Sequence, residues 1–137
     1  MELSLVKLLC DFGLVVLIWM VQLLIYPSFK HMSSESLLAW HDEYSKGISI
    51  IVVPLMLGQL LLSGLLLMRE ISTYRAFDVF LVVTVWVVTF GIFVPIHSAI
   101  ANNRFSRQLL QGLVIKNWMR TIIWTGIFLL NLYMVLR

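Results

Sequence analysis

The chain has 137 residues, of which 61% are hydrophobic and only 12% are charged, and its mean hydropathy is +0.96. Soluble domains carry about 25% charged residues, so this composition excludes an ordinary soluble domain and predicts an integral membrane protein. The formal charge of +3 is small, and basic loop residues in a membrane protein mainly set topology, so nucleic acid is not expected as a partner. The single cysteine, Cys10, excludes an internal disulfide and a CxxC redox pair.

Four apolar segments follow one another along the chain, each long enough to cross a hydrocarbon core of about 30 Å. They cover residues 3–25, 48–68, 76–101 and 113–136. Pro27 is expected to end the first segment, because the residue before a proline disfavours the helical conformation. The connection after it, 26–47, is the longest. Ser33 or Ser34 is expected to cap a short amphipathic helix there that ends before Gly47.

The predicted fold is therefore all-α. Residues 1–137 form one domain, an integral membrane four-helix bundle with a short amphipathic helix between helices one and two. A multi-pass location in a membrane is expected, and the lipid bilayer is the first expected partner. A homo-oligomer would need small or polar contact surfaces, and Gly58 and Gly64 are the candidates for such a surface.

Polar residues collect near one membrane face, because antiparallel spans bring the first and third connections together. All three histidines of the chain are in this set: Tyr26, His31, His41, Tyr44, His97, Asn102, Asn103, Asn117 and Arg120. Each helix also carries one polar or aromatic stripe at helical spacing. Exposing such a stripe to lipid is costly, so it is expected to face the bundle interior. The prediction is a partly polar, aromatic-walled cavity, in the place where bundles usually hold ligands.

The stripes can be read directly from the sequence. The stripe on helix one is Asp11, Trp19, Gln22 and Tyr26; on helix two, if it continues across Gly47, His41, Tyr44, Gln59 and Ser63; on helix three, Trp86, Phe90, Phe93 and His97; on helix four, Asn117, Arg120, Trp124 and Asn131. For Lys7 and Asp11 a simple ion pair across one helical turn is the favoured interpretation. Asp78 is expected to interact with the dipole at the start of helix three.

The chemistry of the predicted cavity has two interpretations. His97 and His41 suit general acid–base catalysis near neutral pH, and Arg120 suits stabilisation of an anion on a substrate oxygen. Alternatively, His41 and His97 bind a transition metal such as iron, copper or zinc, or one of them ligates haem. Both histidines have an equally good inert interpretation as interfacial residues, and Arg120 an alternative in which it extends to the interface. A lipophilic, flat substrate would contact the aromatic and polar residues of the stripes: Tyr26, Tyr44, Trp86, Phe90, Phe93, Asn117 and Trp124.

Several motifs carry a resemblance to known families. Tyr26-Pro27-Ser28-Phe29, His41-x-x-Tyr44, Val53-Pro54-Leu55-Met56-Leu57, Val94-Pro95-Ile96-His97, Lys116-Asn117-Trp118-Met119-Arg120-Thr121 and Trp124-Thr125 resemble a family of uncharacterised bacterial four-helix membrane proteins over nearly the whole chain. More distantly, the layout is similar to the anthrone oxygenase-like membrane family. That family typically has Asn where this chain has His97, and often a His near the position of Asn117.

The second resemblance implies oxygenation of a flat, activated ring methylene, with His97 as base, Arg120 as oxyanion stabiliser and Asn117 as a substrate hydrogen-bond partner. The expected function is thus a membrane-embedded oxidoreductase or oxygenase-like protein for a lipophilic, aromatic substrate, with or without a His-bound metal. The alternative is a non-catalytic lipid- or quinone-binding module or an assembly subunit.

Overall fold

The computed structural model describes residues 2–137 and contains four long helices joined by short connections. The helices are α1 (Glu2–His31), α2 (Ser34–Arg69), α3 (Thr73–Ala101) and α4 (Arg107–Leu136). Each is long and apolar enough to cross a membrane. Consecutive helices pack against each other, and α4 also packs against α1. The predicted all-α membrane four-helix bundle is therefore confirmed, and the chain is a multi-pass membrane protein.

The last three helices each begin at a serine cap. The hydroxyl oxygens of Ser33, Ser72 and Ser106 accept a hydrogen bond from a backbone N–H three residues later, which satisfies a group that the helix itself leaves free. The helix expected after Ser33 is not a separate element, because α2 continues through Gly47 without a break. A glycine inside a helix costs only about 1 kcal/mol, whereas a break there would leave several backbone groups without partners.

Two of the three proline motifs follow a π-helical turn, whereas Pro54 lies inside the regular helix α2. In α1 the wide turn Val21–Ile25 comes directly before Tyr26-Pro27, and in α3 the turn Thr89–Phe93 comes directly before Val94-Pro95. A proline lacks the N–H of a regular helix and its ring crowds the carbonyl four residues earlier; the wider turn gives that ring room. The prediction that Pro27 ends the first helix is therefore wrong, since α1 continues to His31. Such π turns are frequent at functional sites.

The first two helices approach each other closely through two glycines. A Cβ atom on Gly13 would lie 3.1 Å from Leu55, and one on Gly58 would lie 3.2 Å from Cys10 Sγ. Small residues permit this type of close packing in membrane bundles. Gly58, one of the candidates for an oligomer surface, therefore faces α1 inside the bundle.

Polarity inside the bundle is the reverse of that outside. Large apolar side chains such as Ile50, Met68 and Ile115 are at least 70% exposed around the exterior, as expected for a surface that contacts lipid. The buried polar residues are Lys7, Asp11, Gln22, His41, Gln59, Ser63, Asp78, Asn117, Arg120, Thr121 and Asn131. The stripes on helices one, two and four thus face inward as predicted. On helix three Phe93 is buried but Phe90 is 57% exposed, so that stripe faces inward only in part. The buried polar groups form two clusters.

Candidate functional site

One of the two clusters contains a hydrogen-bonded row of four side chains from all four helices. Arg120 Nη2 donates to Tyr26 Oη at 2.9 Å, Tyr26 Oη lies 2.9 Å from His97 Nε2, and His97 Nδ1 lies 2.8 Å from His41 Nε2. The two imidazole rings are nearly parallel, with centroids 5.1 Å apart. The helices therefore bring together the three residues predicted as catalytic, and we call this row, from Arg120 to His41, the histidine row.

Arg120 is the only residue of the histidine row with a fixed positive charge, and it is 93% buried, since its exposed fraction is 7%. Its Nε and Nη2 atoms donate to Asn117 Oδ1 at 3.0 and 2.7 Å, and its guanidinium lies 3.6 Å from the centre of the Phe93 ring. Within residues 2–137 it makes no salt bridge to a carboxylate. A buried charge without a counter-charge is costly, so this end of the site favours an anion.

Asn117 is held in place by a neighbouring amide. Its Nδ2 donates to Gln22 Oε1 at 2.9 Å, and Thr121 Oγ1 donates to the same oxygen at 3.2 Å. Gln22 Nε2 in turn donates to the Val114 carbonyl at 3.1 Å. These bonds direct the Asn117 carbonyl oxygen towards Arg120. Gln22 lies on the predicted stripe of helix one, but its spacing alone does not reveal this positioning role.

The histidine row borders a cavity of about 530 Å³ lined by residues of all four helices. Nine of the predicted site residues line it: Tyr26, His41, Tyr44, Trp86, Phe90, Phe93, His97, Arg120 and Trp124. Asn117 is the exception, because it lies behind Arg120. Trp86 and Phe90 stack at 5.5 Å between ring centroids, so part of the wall is a flat aromatic surface.

The cavity opens between α2 and α3. Its lining residues from α1 and α4 are mostly buried, whereas Val53 of α2 and Phe90 and Val94 of α3 are 47%, 57% and 48% exposed. Exposed Ser49 and Ser98 also line the opening, so the rim is mainly apolar with two hydroxyl groups and lies on the outer surface of the bundle.

Three residues of the expected polar group lie outside the site. His31, Asn102 and Asn103 are exposed at the ends of α1 and α3, and none of them lines the cavity. Helix counting placed them on the correct face, but it does not show which side chains turn inward.

The histidine pair does not form a transition-metal site built from several protein ligands. Both ring nitrogens of His97 are already hydrogen-bonded, one to Tyr26 and one to His41, which leaves only His41 Nδ1 for a metal. Among residues 2–137, no group of three or more His, Cys, Asp or Glu side chains is placed to hold a metal ion. Zinc and non-haem iron sites usually take at least three protein ligands, so the pair does not form such a site. Haem needs only one histidine, so that interpretation stays a prediction, and no chemical step is derived through either group.

The second cluster lies near the opposite ends of the helices. Lys7 Nζ contacts Asp11 Oδ2 at 2.9 Å and Asp78 Oδ1 at 3.0 Å, and all three side chains are at most 1% exposed. Ser63 and Asn131 donate to Asp78 at 2.8 and 2.7 Å. The predicted Lys7–Asp11 pair is thus present. The main partner of Asp78 is Lys7 rather than the dipole of its own helix. The sequence did not indicate this pair, because the two residues are 71 positions apart in the chain. We call these side chains, together with Gln59, the lysine cluster.

Gln59 links the lysine cluster to the wall of the cavity beside the histidine row. Its Nε2 donates to Asp11 Oδ1 at 2.7 Å, and its Oε1 accepts from Trp124 Nε1 at 3.1 Å. Trp124 lines the cavity and lies with its ring centre 6.0 Å from the Arg120 guanidinium. The lysine cluster therefore fixes part of the cavity wall.

Comparison of the chain with protein-family models, with curated proteins and with solved structures gives no significant match.

Proposed function

We propose that this protein is a membrane-embedded oxidoreductase that takes a flat, lipophilic, aromatic molecule from the bilayer and removes a proton from it in the cavity. The molecule carries an oxygen that becomes negatively charged. The wider proposal includes residence in a bacterial inner membrane, which rests on the resemblance of the motifs to bacterial proteins.

The observation that carries the proposal is the buried Arg120 guanidinium, which has no carboxylate partner within the described part of the chain and lies beside a mainly apolar cavity. Its Nη1 makes no hydrogen bond to residues 2–137, whereas Nε and Nη2 do. An enclosed, fixed donor is most useful where negative charge develops during a reaction, because water does not screen it there. The neighbouring histidine row provides the group that accepts the proton.

An activated ring methylene beside a carbonyl is the substrate type that this arrangement supports best. Loss of a C–H proton leaves the electron pair on the ring system, and resonance moves negative charge onto the carbonyl oxygen, close to Arg120. The carbanion then reduces dioxygen to form a peroxide anion at that carbon, and uptake of one proton, equal to the one removed at the start, converts it into a hydroperoxide. Loss of one water molecule from the hydroperoxide gives a second carbonyl, so one dioxygen is consumed for each molecule oxidised and one water is released.

Dioxygen uptake with anthrone tests this proposal on the purified protein in lipid nanodiscs. We expect Arg120→Gln to lower kcat/KM by roughly 100-fold or more, the usual cost of losing one oxyanion donor. His97→Gln is expected to lower it by a similar factor, typical of a lost acid–base group.

Arg107→Gln is the matched control, because Arg107 begins the same helix but is exposed. It should leave the rate unchanged. Equal rates for Arg120→Gln and Arg107→Gln would refute the proposed site.

A binding role without turnover is the second candidate. It is favoured by the engagement of both ring nitrogens of His97, which suits a rigid site that holds a quinone or similar lipid. In that case anthrone would cause no dioxygen uptake, while a quinone would still bind and would quench the fluorescence of Trp86 and Trp124 on the cavity wall.

A further inference from the structure

The histidine row leads from the cavity towards the start of α2. Its three links measure 2.9, 2.9 and 2.8 Å, all within the normal range for hydrogen bonds. His41 is the eighth residue of α2; it is itself only 3% exposed, but the adjacent Asp42 and Glu43 are exposed. The row thus runs from a buried guanidinium to a polar helix surface.

The number of hydrogen-bond donors allows only two arrangements of the hydrogen atoms along the histidine row while both imidazoles are neutral. A guanidinium can only donate, so Tyr26 Oη always accepts from Arg120. A neutral imidazole has one donor nitrogen and one acceptor nitrogen. In the first arrangement the Tyr26 hydroxyl donates to His97 Nε2, and His97 Nδ1 donates to His41 Nε2. In the second, His41 Nε2 donates to His97 Nδ1, and His97 Nε2 donates to Tyr26 Oη.

We propose that Tyr26, His97 and His41 form a proton relay, in which Tyr26 receives the proton of the ligand and His41 releases it at the membrane surface. This inference rests on the proposed function, because it requires a ligand beside Arg120 that loses a proton. It changes the role of His97 from a base in direct contact with the ligand to a carrier between two other groups.

The relay step balances without any further reactant. The ligand proton binds to the free lone pair of Tyr26 Oη while the hydroxyl proton of Tyr26 moves to His97 Nε2. The Nδ1 proton of His97 moves to His41 Nε2, and His41 then loses its Nδ1 proton to water. The bonding electron pair stays on the ligand as an anion beside Arg120. The step converts the first arrangement into the second, and transfer in the reverse direction restores the first. His41 Nδ1 then takes a proton from water, the Nε2 protons of His41 and His97 move to His97 Nδ1 and Tyr26 Oη, and Tyr26 gives its other proton to the peroxide anion formed from the ligand.

The contacts of His97 explain why the proton would not pass to it directly. Both of its ring nitrogens are engaged, whereas Tyr26 lines the cavity and has one lone pair free after it accepts from Arg120. The charges at the two ends also favour outward transfer. The guanidinium of Arg120 repels a positive charge at the inner end, and the exposed carboxylate of Asp42 attracts one at His41.

Ionisation of bound 4-nitrophenol tests the relay, because its anion absorbs visible light and its neutral form does not. The full-length protein in nanodiscs is mixed with the probe at a pH where the free probe is neutral. Stopped-flow absorbance gives the rate at which the anion forms, and the final absorbance gives the amount bound as anion. We expect Tyr26→Phe and His41→Gln to slow anion formation at least tenfold. The glutamine keeps a donor for His97 Nδ1 but cannot exchange the proton.

His31→Gln is the control and should form the anion as fast as the unchanged protein, because His31 is exposed and lies outside the row. Circular dichroism confirms folding, and His41→Asn replaces His41→Gln should that variant unfold. An unchanged rate in either Tyr26→Phe or His41→Gln overturns the relay while leaving the proposed site intact. By contrast, probe binding that is absent, or that does not fall in Arg120→Gln, overturns the proposed function and the relay with it.

Discussion

The lysine cluster and the histidine row use similar side chains for different purposes. In the lysine cluster one ammonium faces two carboxyl groups, every carboxyl oxygen accepts a hydrogen bond, and the three charged side chains are at most 1% exposed. The histidine row has a guanidinium that pairs with no carboxylate among the residues that the structure describes, and it borders a cavity of about 530 Å³. A sealed, satisfied network is typical of a structural element, whereas an unbalanced charge beside a cavity is typical of a binding site.

The comparison shows that burial of charge alone does not identify a functional site in a membrane bundle. Intramembrane charged residues usually suggest function, yet Lys7, Asp11 and Asp78 satisfy one another and leave no free donor towards a ligand. Arg120 is less deeply buried and has weaker partners, an amide, a phenol and an aromatic ring. The absence of its charge partner, combined with the cavity, distinguishes it.

Lys7→Met should give the largest effect, because it leaves two neighbouring buried carboxyl groups without their shared cation. Breaking a buried ion pair from one side typically costs about 3–5 kcal/mol. We expect a loss of this order in the free energy of unfolding, measured by titrating the detergent-solubilised protein with a denaturing detergent. Asp78→Asn in the same background should recover part of the loss.

Lys46→Met is the control for this change. Lys46 also pairs with an aspartate four residues away, Asp42, at 2.7 Å, but the two side chains are 73% and 66% exposed. Exposed pairs contribute only about 0–1 kcal/mol. Equal losses for Lys7→Met and Lys46→Met would contradict a structural role for the lysine cluster.

Gln59→Leu should have the next largest effect on stability, because it removes the hydrogen-bonded link between the lysine cluster and Trp124 on the cavity wall. The change leaves Trp124 Nε1 without its acceptor and removes a donor from Asp11. An unsatisfied buried group costs about 1–3 kcal/mol, which we expect as the loss in unfolding free energy. Since Trp124 lines the cavity, quenching of tryptophan fluorescence by a quinone should also weaken. Weaker stability with unchanged quenching would show that the lysine cluster does not fix the cavity wall.

The sequence predicts the histidine row better than the lysine cluster, for a physical reason. Antiparallel helices bring residues near the same connections together, so counting spans places His41, His97 and Arg120 at one end of the bundle. Lys7 and Asp78 also lie near matching helix ends, but the nearby Asp11 offers a sufficient local partner and hides the long-range pair. The π turns are a second omission: Pro27 marks the place, but whether a helix stops or widens there depends on packing against its neighbours.

Arg120→Gln should change the free energy of unfolding less than Lys7→Met or Gln59→Leu does. It removes bonds to Tyr26 and Asn117 and the contact with Phe93, but it also removes a buried charge that has no counter-charge. We expect these effects to cancel to within about 1 kcal/mol. The same unfolding titration measures this change, and the expected combination is near-normal stability with lost function. A loss as large as that of Lys7→Met would show that Arg120 is held for structural reasons.

The smallest effect is expected for a polar contact that belongs to neither cluster. Trp19 Nε1 donates to Thr125 Oγ1 at 3.1 Å between α1 and α4. Thr125 also donates to the Thr121 carbonyl at 2.6 Å, so its hydroxyl keeps a partner when Trp19 is replaced. A double-mutant cycle of Trp19→Phe and Thr125→Val should give a coupling energy of about 0.6 kcal/mol, the average for hydrogen bonds between membrane helices. This value is the baseline for one interhelical bond. A coupling energy several times larger would mean that the loss expected for Lys7→Met reflects strong hydrogen bonding throughout this bundle rather than an unbalanced charge.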